Sequence, residues 1–146
     1  MVLRMLGLDA VVVAGDGVTM ALRIRNLSAE DVLLAIGYSA YATDVAAVLR
    51  VARERGATTI GVSGSEVSPV TRLAEIKLIC AANSVLHIPS DTAAAAVLDG
   101  LVQALYQTRS ETWERNMRAL GQTYESMMSY RGSAVASIEE SLTKLY

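Results

Sequence analysis

The chain has 146 residues, of which 52% are hydrophobic, 19% are charged and 5% are aromatic, and its net charge is −2. This length allows one domain with a sizeable core, and the negative balance argues against nucleic-acid binding by this chain alone. No apolar run is long enough to cross a bilayer. Gly7 and Asp9 split the first apolar stretch, which excludes a signal peptide. The single Cys80 cannot form an internal disulfide, which favours a reducing cytoplasm.

The first third of the chain predicts two strands and two helical segments. Residues 1–7 have the character of a helix end, with Gly7 as its terminator. Residues 10–14, AVVVA, and residues 32–36, VLLAI, are apolar without alternation, which is typical of strands buried on both faces of a parallel sheet. Between them, residues 18–25 are weakly helical and residues 26–31 form a loop.

The middle of the chain alternates helical and extended patterns. The predicted elements are a helix over 43–55 that Gly56 ends, a strand over 57–63, a short helix over 69–74 that Ser68 and Pro69 begin, a strand over 76–80 and a short extended piece over 85–88. Strands that alternate with helices predict a parallel sheet with helices on both faces, which is a three-layer α/β/α fold.

The last third of the chain is helical by pattern. An alanine-rich helix runs to about Tyr106, and Ser110 caps a second helix that extends to about Tyr130. Residues 131–133, RGS, interrupt it before a last helix, so we expect a C-terminal helical hairpin. We divide the chain into an α/β domain over 1–108 and amphipathic helices over 109–146. An apolar stripe from Trp113 to Met127 either packs back on the domain or forms a homodimer interface.

Three segments resemble a known family. Residues 31–36, DVLLAI, residues 52–62, ARERGATTIGV, and residues 64–75, GSEVSPVTRLAE, are similar to the sugar isomerase (SIS) domain and more closely to the effector domain of RpiR-type transcriptional regulators. The resemblance covers about residues 1–106. It implies a homo-oligomeric, cytoplasmic carbohydrate-derivative-binding domain whose ligand is a phosphorylated sugar.

The resemblance also implies a five-stranded parallel sheet whose first strand, with the loop after it, has no counterpart here. We therefore expect an N-terminally truncated SIS-like domain without its DNA-binding helix-turn-helix. The missing strand would lie between the strands over 10–14 and 32–36. Because unpaired backbone groups are costly when buried, we expect these two strands to pair directly, or another chain or the C-terminal hairpin to fill the gap.

The loop after residue 36 occupies the place of a sugar-phosphate loop. Ligands of parallel sheets bind beyond the carboxyl ends of the strands, and sugar-binding relatives carry Ser-x-Ser-Gly-x-Thr at this loop. Ser39 matches the second serine, but Ala40 replaces the glycine and Thr43 is displaced by one residue. Tyr41 matches the tyrosine of an Arg-Tyr pair that some RpiR-type regulators carry. The loop either contacts ligand through Ser39, Tyr41 and Thr43, or only begins a capped helix.

The loop after residue 62 supplies three more hydroxyl groups. Ser63 and Ser65 are candidate ligand contacts, whereas Ser68 is a candidate ligand contact whose position also predicts a helix cap. Glu66 would repel a phosphate at short range.

We assign no catalytic residue, cofactor or metal. An isomerase needs an acid and a base poised at the site, and the lone His87 fits a position in the core or at the rim of the sheet better than a catalytic role. One cysteine and one histidine make no metal cluster. The favoured hypothesis is a ligand-sensing regulator domain. The alternatives are a sugar-phosphate isomerase and a dimerisation module that binds no ligand.

Overall fold

The structure is a computed structural model that describes residues 1–38, 43–80 and 92–143, with side chains to residue 135. Within these ranges no helix is both long and apolar enough to cross a membrane. The chain forms two compact units, one of residues 11–101 and one of residues 1–10 with 102–146.

A three-stranded parallel sheet forms the centre of the first unit. Its strands are β1 (Val32–Ile36), β2 (Thr58–Ser63) and β3 (Ile76–Ile79), in the order β1-β2-β3. The register pairs Val32 with Thr58 and Ile60 with Ile76. The three strands lie where the sequence predicts them. Strand β1 is less buried than predicted, because Val32 and Ile36 at its two ends are exposed.

Three helices in the first unit follow from local sequence signals. Helix α2 (Gly17–Ile24) begins at Asp16, whose carboxylate accepts a hydrogen bond from the Thr19 backbone N–H at 2.9 Å. Helix α3 (Thr43–Glu54) ends before Gly56, which has a positive φ of 83°. Helix α4 (Pro69–Leu73) begins with proline at its first position, where the missing N–H costs nothing.

Apolar side chains cover both faces of the sheet. On one face, β1 and β2 pack against α3 and α4 through a buried cluster of Leu33, Ala35, Leu49, Ala52, Ala57, Val70 and Ala74. On the other face, Val62 and Cys80 pack with Ala94 at the start of a long helix, α5 (Thr92–Thr143). Helices therefore lie on both faces, and the predicted three-layer α/β/α fold is confirmed.

Gly61 lets α4 lie directly on the sheet. A Cβ atom at this position would stand 2.7 Å from the Ala74 Cβ and 3.0 Å from the Val70 carbonyl oxygen. Both distances are shorter than van der Waals contact. The missing side chain thus sets how closely the segment from Val70 to Ala74 approaches β2.

The predicted strand over 10–14 is wrong. Residues 8–14 belong to no helix or strand, and Val11 and Val12 are exposed. The expectation that this segment pairs directly with β1 is therefore also wrong. In the described part of the chain, β1 is an edge strand with β2 as its one neighbour. A β-branched run can form a strand only where a neighbouring strand takes its backbone hydrogen bonds.

The second unit is helical. Helix α1 (Val2–Met5) ends before Gly7, whose φ is 78°, as predicted for a helix terminator. The Asn116 side-chain amide donates to the Met5 carbonyl oxygen at 2.9 Å, and Leu6 is fully buried. Helix α5 has non-helical backbone angles at Arg109, where φ is −133°. This kink lies beside the predicted start of a new helix at Ser110.

The predicted C-terminal hairpin is wrong. Helix α5 continues without a break through residues 131–133 to Thr143. A single glycine inside a helix costs about 1 kcal/mol, which weakens a helix but does not end it. The domain boundary after residue 108 stays a prediction.

Candidate functional site

The carboxyl ends of the three strands meet at one edge of the sheet. Pairing continues one residue beyond the strands, because Gly37 donates its N–H to the Val62 carbonyl oxygen at 3.0 Å. Likewise, Cys80 donates its N–H to the Ser63 carbonyl oxygen at 2.9 Å. Loops that leave this edge are therefore held close to one another, and in parallel sheets this edge is the usual place for a ligand.

Ser63 places a hydroxyl group in the interior at this edge. Its exposed fraction is 1%, and its Oγ has no hydrogen-bond partner among the described residues. Strand alternation puts Ser63 on the same face of β2 as Thr59 and Gly61, the face that α4 covers. A buried hydroxyl without a partner costs about 1–3 kcal/mol, so Ser63 is the group at this edge with the most to gain from a polar ligand.

The other two predicted serines of this loop make local contacts. The Ser68 Oγ accepts a hydrogen bond from the Val70 N–H at 3.2 Å, which confirms the predicted cap of α4. Ser65 is exposed, and its Oγ accepts a hydrogen bond from the Val67 N–H at 3.3 Å. Because Ser65 is exposed and its Oγ acts only as an acceptor in this contact, its hydroxyl can still donate a hydrogen bond to a ligand. Ligand binding by Ser65 and Ser68 stays a prediction.

Thr71 fixes the shape of this loop, although the sequence did not single it out. Its side chain is fully buried, and its Oγ1 lies 2.7 Å from the Ser65 carbonyl oxygen and 3.1 Å from those of Glu66 and Ser68. One hydroxyl proton near three carbonyl oxygens holds the loop against the first turn of α4. A hydroxyl residue in the middle of a short helix, between Val70 and Arg72, was the available signal.

Tyr38 spans the same edge on the opposite face of the sheet. Its hydroxyl lies 3.7 Å from the Cys80 Sγ, and the Tyr38 ring packs with the cluster around Val62. The end of β1 is thereby tied to the end of β3 across β2. Cys80 is a buried free thiol.

Several predicted site residues cannot be placed. Ser39, Tyr41 and His87 lie outside the described residues. Thr43 is the first residue of α3. Its role in ligand binding stays a prediction.

In the segment between β2 and α4, one side chain is charged. Glu66 is exposed on the loop before α4. In the described ranges, no three histidine, cysteine, aspartate or glutamate side chains are grouped closely enough to hold a metal ion. Elsewhere, a groove between α2 and α3 is lined mostly by apolar side chains with Asp44 as its carboxylate, and this makes it unsuitable for a phosphate.

Comparisons with known proteins agree with this architecture. Residues 5–102 match the model of the SIS domain. A similar solved structure is the sugar isomerase domain of an RpiR transcription factor from Sphaerobacter thermophilus, with 28% identity over 83% of this chain and 68% of that chain and a TM-score of 0.77. The NanR protein of Vibrio vulnificus, solved in complex with ManNAc-6P, is 18% identical over 86% of this chain and 48% of that chain, with a TM-score of 0.71, which shows a shared fold. Among curated proteins, no similar sequence was found. The family match extends over two thirds of the residues and includes all three strands, so this chain belongs to the SIS domain family.

Proposed function

We propose that this chain is the carbohydrate-sensing domain of an RpiR-type transcriptional regulator and that it binds a phosphorylated sugar without converting it. The observation that carries the proposal is the buried Ser63 hydroxyl, which has no partner among the described residues at the carboxyl edge of the sheet. A hydroxyl in such a place stabilises a ligand that offers it a hydrogen bond.

The surroundings of Ser63 support an oxygen-rich ligand. Ser65 offers a solvent-facing hydroxyl, and Thr71 holds its loop in one shape through the 2.7 Å contact to the Ser65 carbonyl oxygen. A preformed loop loses little conformational entropy when a ligand binds. Ser39, Tyr41 and Thr43 belong to the segment that follows β1 in the chain and are further candidate contacts. Helix α3 begins there, and the N-terminus of a helix favours a phosphate group.

The relatives support the ligand class and the regulatory setting. An RpiR transcription factor contains a domain that is 28% identical to this chain, and the similarly folded NanR was solved with ManNAc-6P. The proposed ligand is therefore a hexose or amino-sugar phosphate. An open reading frame upstream of Met1 that encodes a helix-turn-helix in frame would support the regulatory setting.

Thermal-shift measurements test binding. The full chain is heated with ManNAc-6P and a panel of hexose phosphates, with the unphosphorylated sugars and inorganic phosphate as controls. A ligand at 100 times its Kd stabilises the folded chain by about 2.7 kcal/mol, which raises Tm by roughly 5–10 °C for a domain of this size. We expect this shift with at least one sugar phosphate and a smaller one with either control.

Two serine variants separate ligand contact from folding. Ser63→Ala removes a hydroxyl that makes no hydrogen bond with any described residue, so we expect an unchanged or slightly raised Tm without ligand and a ligand-induced shift reduced by half or more. Ser68→Ala removes a helix cap, so its Tm falls by the equivalent of about 1 kcal/mol. Ser39→Ala and Ser65→Ala are expected to lose ligand response with the fold intact.

The two alternatives give different results in the same samples. If no sugar phosphate at millimolar concentration shifts Tm, the proposal fails and a dimerisation module that binds no ligand is favoured. If NMR of the incubated sugar phosphate shows conversion to an isomer that requires intact protein, the chain is an isomerase. A Ser63→Ala variant with full ligand response would place the site elsewhere.

A further inference from the structure

Strand β1 forms one border of the sheet in the described part of the chain, where β2 is its one neighbour. Hydrogen bonds at its two ends show which backbone groups face β2. The Thr58 N–H donates to the Asp31 carbonyl oxygen at 3.0 Å, and the Gly37 N–H donates to the Val62 carbonyl oxygen at 3.0 Å. The odd-numbered residues from 31 to 37 therefore direct their backbone groups towards β2, since these directions alternate along a strand.

The even-numbered residues of β1 direct their backbone groups to the other side. Val32, Leu34 and Ile36 together present three N–H and three C=O groups along this outer edge. In the described ranges, none of these groups has a backbone hydrogen-bond partner. Polar groups in this regular arrangement are a template for the pairing of a further strand.

The outer edge of β1 lacks the features that usually protect such an edge. Proteins commonly protect an edge strand with a charged side chain, a proline or a β-bulge. Residues 32–36, VLLAI, contain no charge and no proline. The register advances one residue at a time in both strands, from the pair Val32–Thr58 to the pair Ile36–Val62, so β1 has no bulge. A further strand can therefore pair along all five residues of β1.

The side chains of β1 are apolar on both faces of the sheet. Leu33 and Ala35 are buried on the face that α3 covers. On the opposite face, Val32 is 60% exposed and Ile36 is 42% exposed, with the half-buried Leu34 between them. A strand beside β1 would place every second side chain next to Val32 and Ile36 and would remove apolar surface from water.

We propose that the outer edge of β1 binds an extended segment of another protein, which joins the sheet as a further strand. Free N–H and C=O groups at every second residue match an extended backbone, whereas the backbone groups of a helix are already bonded internally. A lipid chain has no hydrogen-bonding groups to offer. Because β1 is uncharged and its exposed side chains are Val32 and Ile36, the bound segment carries β-branched or aromatic residues at alternate positions.

This edge is separate from the proposed sugar-phosphate site. Pairing along β1 begins at Val32, at the amino end of the strand, whereas Ser63 lies at the carboxyl end of β2. In strand addition the main-chain hydrogen bonds supply affinity and the alternate side chains supply selectivity. Neither depends on a sugar ligand, so the two proposals can fail independently.

Amide hydrogen exchange of the full chain, resolved by NMR, tests the edge directly. Without a partner, we expect the amides of Val32, Leu34 and Ile36 to exchange at least about tenfold faster than those of Leu33 and Ala35, which donate to β2. The probe is the acetylated and amidated peptide KTVTVTVK at about 1 mM, in which valine recurs at every second position. It should slow the exchange of the Val32, Leu34 and Ile36 amides at least about fivefold.

Two matched controls isolate backbone pairing. The same peptide with N-methyl groups on its valine and threonine amides cannot donate those hydrogen bonds and should leave the exchange rates unchanged. In the protein, Val32→Pro removes one N–H from the outer edge without removing a bond to β2, and proline is tolerated at the first residue of an edge strand. Its Kd for the fluorescently labelled peptide should rise at least about fivefold. Val32→Ile keeps the N–H and should bind the peptide as the wild type does.

Each of three results would overturn the proposal. If the Val32, Leu34 and Ile36 amides are already protected without peptide, another part of the chain covers the edge. If the peptide leaves their exchange unchanged, the edge does not accept a further strand. If the N-methylated peptide protects them equally, or Val32→Pro binds as tightly as Val32→Ile, side-chain contact rather than strand addition holds the peptide. The exchange measurements use the wild type, so the test does not depend on the folding of Val32→Pro.

Discussion

Gly61→Ala tests whether the close approach of α4 to β2 sets the stability of the site. The new Cβ would lie 2.7 Å from the Ala74 Cβ, about 0.8 Å short of the closest favourable carbon–carbon separation. The Val70 carbonyl oxygen, at 3.0 Å, belongs to the backbone and cannot rotate away. Helix α4 must therefore move outward as a unit.

The expected cost follows from two opposing terms. Inserting a methyl group into a well-packed core costs about 1–3 kcal/mol, and replacing glycine in a strand recovers roughly 0.5–1 kcal/mol of backbone entropy. We expect a net loss of about 1–2 kcal/mol, which lowers Tm by about 2–8 °C in a chain of this size.

Urea and thermal unfolding followed by circular dichroism measure this loss. Gly100→Ala is the matched control, because its Cβ meets nothing within 4 Å and it lies in α5, so it should stabilise by about 0.5–1 kcal/mol. If Gly61→Ala is as stable as the wild type, α4 is not held against β2 at the distance seen here. The loop geometry argued for Ser65 and Thr71 would then lose its support.

Two further predictions concern single hydrogen-bonded groups. Thr71→Val keeps the shape of the side chain but removes the hydroxyl that contacts the Ser65 carbonyl oxygen, so the free energy of unfolding should fall by about 1–2 kcal/mol. A protease should also cut residues 64–68 faster, and Thr71→Ser should restore both properties. An unchanged cleavage rate would mean that the hydroxyl does not hold the loop. The hydrogen bonds from the Thr19 backbone N–H and side chain lower the pKa of Asp16. The charged Asp16 cap therefore stabilises the fold at pH values above the ordinary aspartate pKa, near about 4. This stabilisation is lost as the pH falls through the lowered pKa. Asp16→Asn should flatten the dependence of Tm on pH between about 5 and 2, and an identical pH profile in the variant would contradict this role of Asp16.

Local sequence patterns predicted the sheet well where both strands of a pair are clear apolar runs. Strands β1, β2 and β3 are short apolar runs separated by helices with clear caps, such as the Ser68–Pro69 start of α4. Because strands alternate with helices, the strands pair in parallel. Ligands of parallel sheets bind at the carboxyl ends of the strands, so the topology predicts the candidate site at that edge. The location of the candidate site could thus be predicted without any tertiary contact.

Two predictions failed because a local preference was taken to decide the structure. The run at 10–14 has strong β-propensity, but a strand also needs a neighbour to accept and donate its backbone hydrogen bonds. The break at 131–133 was inferred from Gly132, yet a glycine with helical neighbours only weakens a helix. The β-propensity at 10–14 and the low helix propensity of Gly132 were both real, but each was too small to determine the secondary structure.

The three serines of the loop before α4 show why the chemistry of the site was harder to predict than its place. Ser63, Ser65 and Ser68 are one residue type within six positions, but their surroundings differ. The oxygen of Ser68 is occupied by the Val70 N–H and that of Ser65 by the Val67 N–H, because both residues lie where the chain turns into α4. Ser63 still belongs to β2, where the neighbouring strands use the backbone groups, and in the described ranges no group bonds to its side chain. Position relative to the end of the strand therefore explains why Ser63, unlike Ser65 and Ser68, has no hydrogen-bond partner for its oxygen among the described residues.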